Sequence, residues 1–583
     1  METKNKGSGA GSAVALNEDS SSPSSYAAAI DAISSTITRR KRVDNTNVTE
    51  EFLIMFEYLK ILDLEESLSR LNVIHVAGTK GKGSTCAFTE SILRACGYRT
   101  GLFTSPHLID ICERFRLNGS EIDQETFLKH FWWCWHRLKD NCTKDVPMPN
   151  YFRLLTLVAF KIFAAEKVDV AILEVGLGGK YDATNVVKSP VVCGIASLGF
   201  DHMEILGNTL SQIAGEKAGI FKPGVPAITV PQPEEAMEVL KDKASEISIP
   251  LQVALPLRIS SLGGFKLGLA GDHQYINAGL AVALCHAWLR STGHSKDFNL
   301  LENVDDGHFP EPFIKGLTMT NFLGRGQIIL DPNVRCSDQH DMEDAENVDS
   351  SKLIFYLDGA HSPESMEACA IWFSHAIKDN TQSITQVKGA PNLIQNDNHH
   401  LSSNFEQQNY SSENYRKNSK QILIFNCMAE RDPQLLLPHL VDTCALHGVH
   451  FHGAFFVPNQ LSFTQVGSSL TPAANDSPKV NLSWQLVLQR TWENLINRGK
   501  ETNDRTASEL SQMPPSYDFF LDETSQESYH NYKNNVFSAV MPSLPTTIKW
   551  LRECVQQNSS VRLQVLVTGS LHLIGDVIRM LKK

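Results

Sequence analysis

The apolar positions of this chain change period repeatedly, and each change marks an element. FLIMFEYLKIL (52–62) has helical spacing, whereas NVIHVAG (72–78) is a short apolar run closed by glycine, as in a buried strand. The pattern then predicts a helix over 85–95, a strand at TGLFT (100–104) and helices over 123–139 and 152–166. VDVAILEVG (168–176) and VVCGIASLG (191–199) read as further buried strands, and YINAGLAVALCHAWLR (275–290) as a helix. Strands alternating with helices predict a doubly wound, mostly parallel sheet.

The periodicity lapses over 300–322, where a hinge is expected, and a second alternating series follows. Its strands are LIFYLDG (353–359), QILIFN (421–426), AFFV (454–457) and QVLVTGS (564–570); its helices fall over 363–377, 433–445, 483–497, 544–556 and 571–581. The fold class is α/β throughout: a phosphate-loop domain over 46–315 and a smaller Rossmann-like domain over 316–583. Residues 1–45, rich in Ser, Ala and Gly without apolar periodicity, read as a disordered arm. Polar tracts near 331–351, 380–420 and 500–535 read as disordered inserts in the second domain.

Composition narrows the classes. In 583 residues, 42% hydrophobic and 20% charged positions permit large cores, and the length fits several domains. A net charge of −12 argues against nucleic acid as a partner. The longest apolar stretch, LLTLVAFKIFAA from Leu154, is short and broken by Lys161, so no membrane span is expected. Twelve cysteines without a C-x-x-C pair favour a reducing compartment. In the arm, Glu2, Glu18 and Asp19 interrupt, and Arg39, Arg40 and Arg42 come late. The cytoplasm is therefore preferred, with mitochondrion or plastid as the alternative.

HVAGTKGKGST (75–85) lies between a predicted strand and a predicted helix. Gly78, Gly81 and Gly83 permit a tight turn whose N–H groups point inward, and Thr79, Lys80, Lys82, Ser84 and Thr85 add charge and hydroxyls around it. Such a nest at a helix N-terminus suits phosphate. Glu174 ends a buried strand, where open α/β sheets place their ligands, and is a candidate for Mg²⁺. Asp182 fits a turn cap. Asp201 and His202 follow the next strand. Arg325 suits bidentate phosphate binding. Asp358 ends a strand in LDG, and turn formation is its competing role.

The order GT-x-GKG-S departs from G-x-x-x-x-G-K-[ST] and resembles the variant of the Mur ligases and their relatives, the folylpolyglutamate synthases. FTSPHL (103–108), ERFRLNG (113–119), LEVGLGG (173–179), FLGRGQ (322–327), YLDGAHSPES (356–365), FNCMAERDP (425–433) and LVTGSLHLIGDVIRML (566–581) resemble that family as well, in its eukaryotic, plant-type form. The likeness spans about 45–583 outside the polar tracts; Cys112 stands where an arginine would be expected.

The resemblance implies a Mur-ligase-like ATP domain and an ATP-dependent ligase. It would add L-glutamate to the γ-carboxylate of a reduced folate or its polyglutamates through an acyl phosphate. Lys82 would hold phosphate, Arg325 and Asp358 would contact ATP, and Ser105, Glu174 and His202 would hold Mg²⁺. Lys217, if carbamylated, would hold a second Mg²⁺, and a monovalent cation such as K⁺ is a further candidate cofactor. His361 is the candidate base for the incoming amine. Phe103 and Phe152 are candidates against the folate ring, with core packing an equal alternative for both. The partners implied are folate polyglutamates, L-glutamate and ATP, with the chain a monomer. Dihydrofolate synthase, another Mur-type amide ligase, and an ATP-gated binding protein without catalysis are the competing readings.

Overall fold

A computed structural model describes residues 25–37, 48–294, 309–334, 351–378, 419–459, 481–498, 514–520, 536–558 and 561–582. The first lobe is built on an eight-stranded sheet. Its strands are β1 (Val73–Ala77), β2 (Thr100–Phe103), β3 (Phe115–Leu117), β4 (Ser120–Glu121), β5 (Val170–Glu174), β6 (Val192–Ile195), β7 (Ala227–Thr229) and β8 (Leu251–Val253). They lie in the order β4-β3-β2-β5-β1-β6-β7-β8, parallel except for the β2-β3-β4 edge. The central strands are buried on both faces, and their side chains alternate between two cores. Ala171 and Leu173 pack with the helices Gln124–Asp140 and Tyr151–Ala165, while Val170 and Ile172 pack with Lys82–Ala95 and His273–Ser291. Leu173, Val170 and Ile172 each contribute about 1.5–3 kcal/mol by leaving water, and Ala171 less.

The second lobe carries six strands: β9 (Gln327–Leu330), β10 (Leu353–Leu357), β11 (Ser419–Phe425), β12 (Gly453–Phe456), β13 (Phe537–Val540) and β14 (Arg562–Thr568). Their order is β13-β12-β11-β14-β10-β9, with only β9 antiparallel. Two mostly parallel sheets in series are the architecture expected from the alternating pattern. No helix among the described residues is long and apolar enough to cross a membrane, and no disulfide forms among them.

Three expectations need correction. Residues 1–45 were read as a disordered arm, yet Tyr26–Ser35 is a helix capped by Ser25, with Ala29 and Ile33 fully buried. The alanines that blur its apolar pattern are strong helix formers. The expected boundary at 315/316 cuts the helix Glu311–Met319, which packs tightly on the helix Lys82–Ala95 and belongs to the first lobe. Of the hinge expected over 300–322, residues 311–319 form that packed helix, and 300–308 lie outside the described residues. Most of the three expected inserts also lies outside them. Of 500–535, the turn Tyr517–Phe520 is described and packs on Trp550.

Candidate active site

β1 lies in the middle of its sheet, and the loop after it opens at the carboxyl edge, where strand order reverses. Gly81 has φ +82°, and a Cβ there would lie 2.0 Å from Asn277 Oδ1, so only glycine fits. The helix Lys82–Ala95 starts directly after it without a side-chain cap, leaving its first amides to an anion. The loop differs from the expected nest in one respect. The N–H groups of Thr79 and Lys80 both donate to the Ser197 carbonyl, at 2.9 and 3.0 Å, stitching the loop to the end of β6. The Thr85 hydroxyl is buried with no hydrogen-bond partner among the described residues, and Ser84 is buried beside it. Lys82 Nζ lies 3.4 Å from the Thr79 carbonyl, above the loop.

Glu174, at the end of β5, is buried and accepts the Ser105 N–H at 3.0 Å. Burial pushes its carboxyl up, opposed chiefly by Lys82. A buried carboxylate beside the phosphate loop offers the hard oxygen Mg²⁺ prefers, so Glu174 would suit that ion, with Ser105 held next to it by the backbone hydrogen bond. His202 is 45% exposed, 3.9 Å from Asp201 and 3.6 Å from Glu204. Among the described residues, no group of three His, Cys, Asp or Glu side chains is spaced to hold a metal unaided. Lys217 is buried on the helix Leu210–Ala218 and donates to the Gly78 carbonyl at 2.9 Å. Burial, reinforced by Lys82, lowers its pKa to about 7. Asp182 plays the turn-capping part expected of it, accepting the N–H groups of Gly176, Leu177 and Thr184.

The second lobe presents its own strand ends. Asp358, after β10, accepts the N–H groups of Gly326 and Ala360, both at 3.0 Å, tying the GRGQ turn to the LDGAH turn. Burial raises its carboxyl; His273 and Arg325 oppose this. Arg325 stacks near Phe322 and reaches the Gly324 carbonyl at 3.3 Å. His361 holds its Nδ1 against the Gly359 carbonyl at 2.8 Å, and its Nε2 lies 3.3 Å from Lys80 Nζ. Burial, with Lys80 next, lowers its pKa to about 3, so the ring is neutral and a weak base.

The two lobes meet at Asp201. Its carboxylate pairs with Lys80 at 3.1 Å and with Arg431, from the second lobe, at 2.8 Å; His361 lies 3.9 Å away. Burial alone would raise the Asp201 carboxyl, but Lys80, His202 and Arg431 pull it far below the usual carboxylate range. Arg431 carried no role in the sequence reading. The signal available was its position in AERDP, just beyond a buried strand, at the edge where both sheets place their polar residues.

At Arg325 a small cavity is walled by Pro106, Leu108, Glu113 and Arg116 of the first lobe, by Phe322, and by Leu571 of the second. Phe103 is fully buried against Phe115 and Phe152, so its ring is core. Phe152 is half-buried and packs over Gly176. The structure thus brings together the loop, Glu174, Ser105, Lys217, Arg325, Asp358 and His361, with His202 beside Asp201 near Lys82, and buries Phe103 in the core.

No family model matches the chain. A folylpolyglutamate synthase of Arabidopsis thaliana is 52% identical over 560 residues, 96% of this chain and 89% of that one. The protein named "Folylpolyglutamate synthase, mitochondrial" of Homo sapiens is 35% identical, covering 89% of this chain and 84% of its own. Among solved structures, the Mycobacterium tuberculosis folylpolyglutamate synthase complexed with ADP and AMPPCP superposes with a TM-score of 0.60 at 20% identity, covering 91% of this chain and 95% of that one.

Proposed function

This chain belongs to the folylpolyglutamate synthase family, and from that premise we propose that its interlobe crevice joins free L-glutamate to the γ-carboxylate of a reduced folate or its polyglutamates. It is an ATP-dependent, ADP-forming ligase. Amide formation from a carboxylate is uphill near neutral pH, so the γ-phosphoryl group of ATP is transferred to that carboxylate first, releasing ADP. The glutamate amine then attacks the acyl phosphate, inorganic phosphate leaves, and the amine gives up a proton.

In this reading the phosphates lie at the N-terminus of the helix Lys82–Ala95, with Lys82 and Arg325 on the charge that develops during transfer. Asp358 faces the nucleoside end. Glu174 and Ser105 would hold Mg²⁺, which neutralises phosphate charge when bound. Lys217 is suited to carbamylation because only a neutral amine adds CO₂, and its pKa of about 7 leaves much of it neutral. His361, at about 3, is assigned to holding Lys80 through Nε2 in place of the role of base. The acceptor is assigned to the side of the crevice walled by Pro106, Leu108 and Arg116, which line a small cavity there.

The observation that carries the proposal is the meeting of Lys80 and Asp201 with His361 and Arg431 beside the phosphate loop, two residues from each lobe. Closure there would exclude the water that hydrolyses acyl phosphates. Both halves of the crevice come from one chain, which supports a monomer. The acidic residues Glu2, Glu18 and Asp19 within the arm support a cytoplasmic enzyme, and the human relative's name supports the organellar alternative; imaging of a tagged full-length chain decides between them. The deciding assay supplies purified protein with ATP, Mg²⁺, labelled glutamate and tetrahydrofolate, and resolves the products by mass. Folate extended by glutamate, with matching ADP, is expected. Incorporation into dihydropteroate alone would move the assignment to dihydrofolate synthase.

A further inference from the structure

We propose that the N-terminal helix Tyr26–Ser35 is a strap that fixes the acceptor wall of the cavity, and that Tyr26 is a positioning residue for the folate acceptor; the second half of this statement rests on the function proposed above. The helix is anchored by Ala29 and Ile33, one turn apart and both fully buried. The Tyr26 ring meets Phe127 edge-on, with centroids 6.1 Å apart. Its hydroxyl donates to Asp110 Oδ1 at 2.6 Å, and the same oxygen accepts the Cys112 N–H at 2.9 Å.

Asp110 caps the short turn Ile111–Arg114. Within that turn Glu113 accepts the N–H groups of Leu108, Ile109 and Asp110, each at 2.7 Å. Leu108 and Glu113 line the cavity. The phenolic hydrogen bond to Asp110, with a longer contact to Cys112 Sγ at 3.8 Å, therefore links the strap to a loop that its own carboxylates tie together. The other end of the strap acts on the same wall. The Thr36 carbonyl accepts the Tyr151 N–H at 3.2 Å, and the Arg114 guanidinium lies over the Tyr151 ring, 5.4 Å from its centroid.

The opposite side of the loop bears on the second lobe. Arg579 donates to the Ile109 carbonyl at 2.9 Å, and the Leu108 carbonyl sits 2.1 Å from where a Gly575 side chain would begin. The helix Leu571–Leu581 thus presses on the loop from one side while the strap backs it from the other. A loop loaded in this way keeps its shape during closure only if its back is fixed.

The test is Tyr26→Phe, which keeps the ring and removes the hydroxyl. Amide hydrogen exchange of residues 105–116, measured without substrates, is expected to rise about tenfold, the scale of one hydrogen bond to a carboxylate. KM for tetrahydrofolate is expected to rise about five- to tenfold, with KM for ATP held within about twofold. Asp110→Ala should reproduce both effects, and adding Tyr26→Phe to it should change little further, because the hydroxyl then keeps only its long contact with Cys112 Sγ at 3.8 Å. Unchanged exchange in Tyr26→Phe, additive single variants, or KM for ATP rising in step with that for folate would overturn the strap. Faster exchange in a protein that ligates nothing to folate would uphold the strap and overturn the acceptor.

Discussion

At the scale of single residues, Lys217 is the sharpest case. An ammonium buried this deeply would need a carboxylate partner, yet its amine donates to a backbone carbonyl, and burial lowers its pKa to about 7. If its working form is the carbamate, Lys217→Ala should abolish ligation, and acetate or formate at tens of millimolar should restore a measurable part of it by supplying the lost carboxylate. Glutamate incorporation with and without added carboxylate checks this; a variant equally dead in both would remove the carbamate. The sequence could not show why this lysine differs from an ordinary surface lysine, because its neighbours Gly78 and Lys82 are brought to it by the sheet. His361 was hidden for the same reason, since burial against Lys80 of the other lobe is what makes it a weak base. The phosphate loop itself was legible, because three glycines between a strand and a helix leave the chain few conformations. Its stitching to Ser197 was not, being a contact between two strand ends far apart in sequence.

At the scale of elements, the central strands were legible because parallel strands covered on both faces read as unbroken apolar runs. The edges were not. β7, β8 and β9 are three or four residues long, too short to show a period, and β13 is half-exposed. The helix Glu311–Met319 is equally short, and its contact with the phosphate-loop helix depends on the absence of a side chain. A Cβ at Gly316 would lie 2.5 Å from Ile92 Cα, and the Gly316 carbonyl accepts the Ser91 hydroxyl at 2.8 Å. Gly316→Ala should therefore push the helix off and destabilise the first lobe by about 1–3 kcal/mol, the cost of overpacking against backbone that cannot yield. Thermal unfolding of the full chain measures it. An unshifted midpoint would mean that the two helices separate freely.

At the scale of the whole molecule, two consequences follow from buried charge. His75, His361 and His452 are held near a pKa of about 3 and His286 near about 4, chiefly by burial. Each folded-state value lies below the unfolded one, so the unfolded chain takes up protons first. Stability is intact above about pH 6.5 and falls as the pH drops toward 4, by up to about 1.4 kcal/mol per pH unit for each histidine. The melting temperature should drop clearly between pH 7.5 and 5.5, and less so in His75→Asn; equal melting at both values would contradict the buried neutral rings. The second consequence concerns closure. Among the described residues, Arg431 and Asp201 make the shortest charged contact between the lobes, at 2.8 Å, and Asp201 is only 8% exposed. If that pair holds the crevice shut, a double-mutant cycle of Arg431→Ala and Asp201→Asn should give a coupling of about 1.5–3 kcal/mol in kcat/KM. Both single variants should also release more phosphate per glutamate added, because an open crevice admits water to the acyl phosphate. A coupling near zero with phosphate and glutamate still in step would mean that the lobes close by other contacts, and the joint would then be sought in the apolar wall around Phe322 and Leu571.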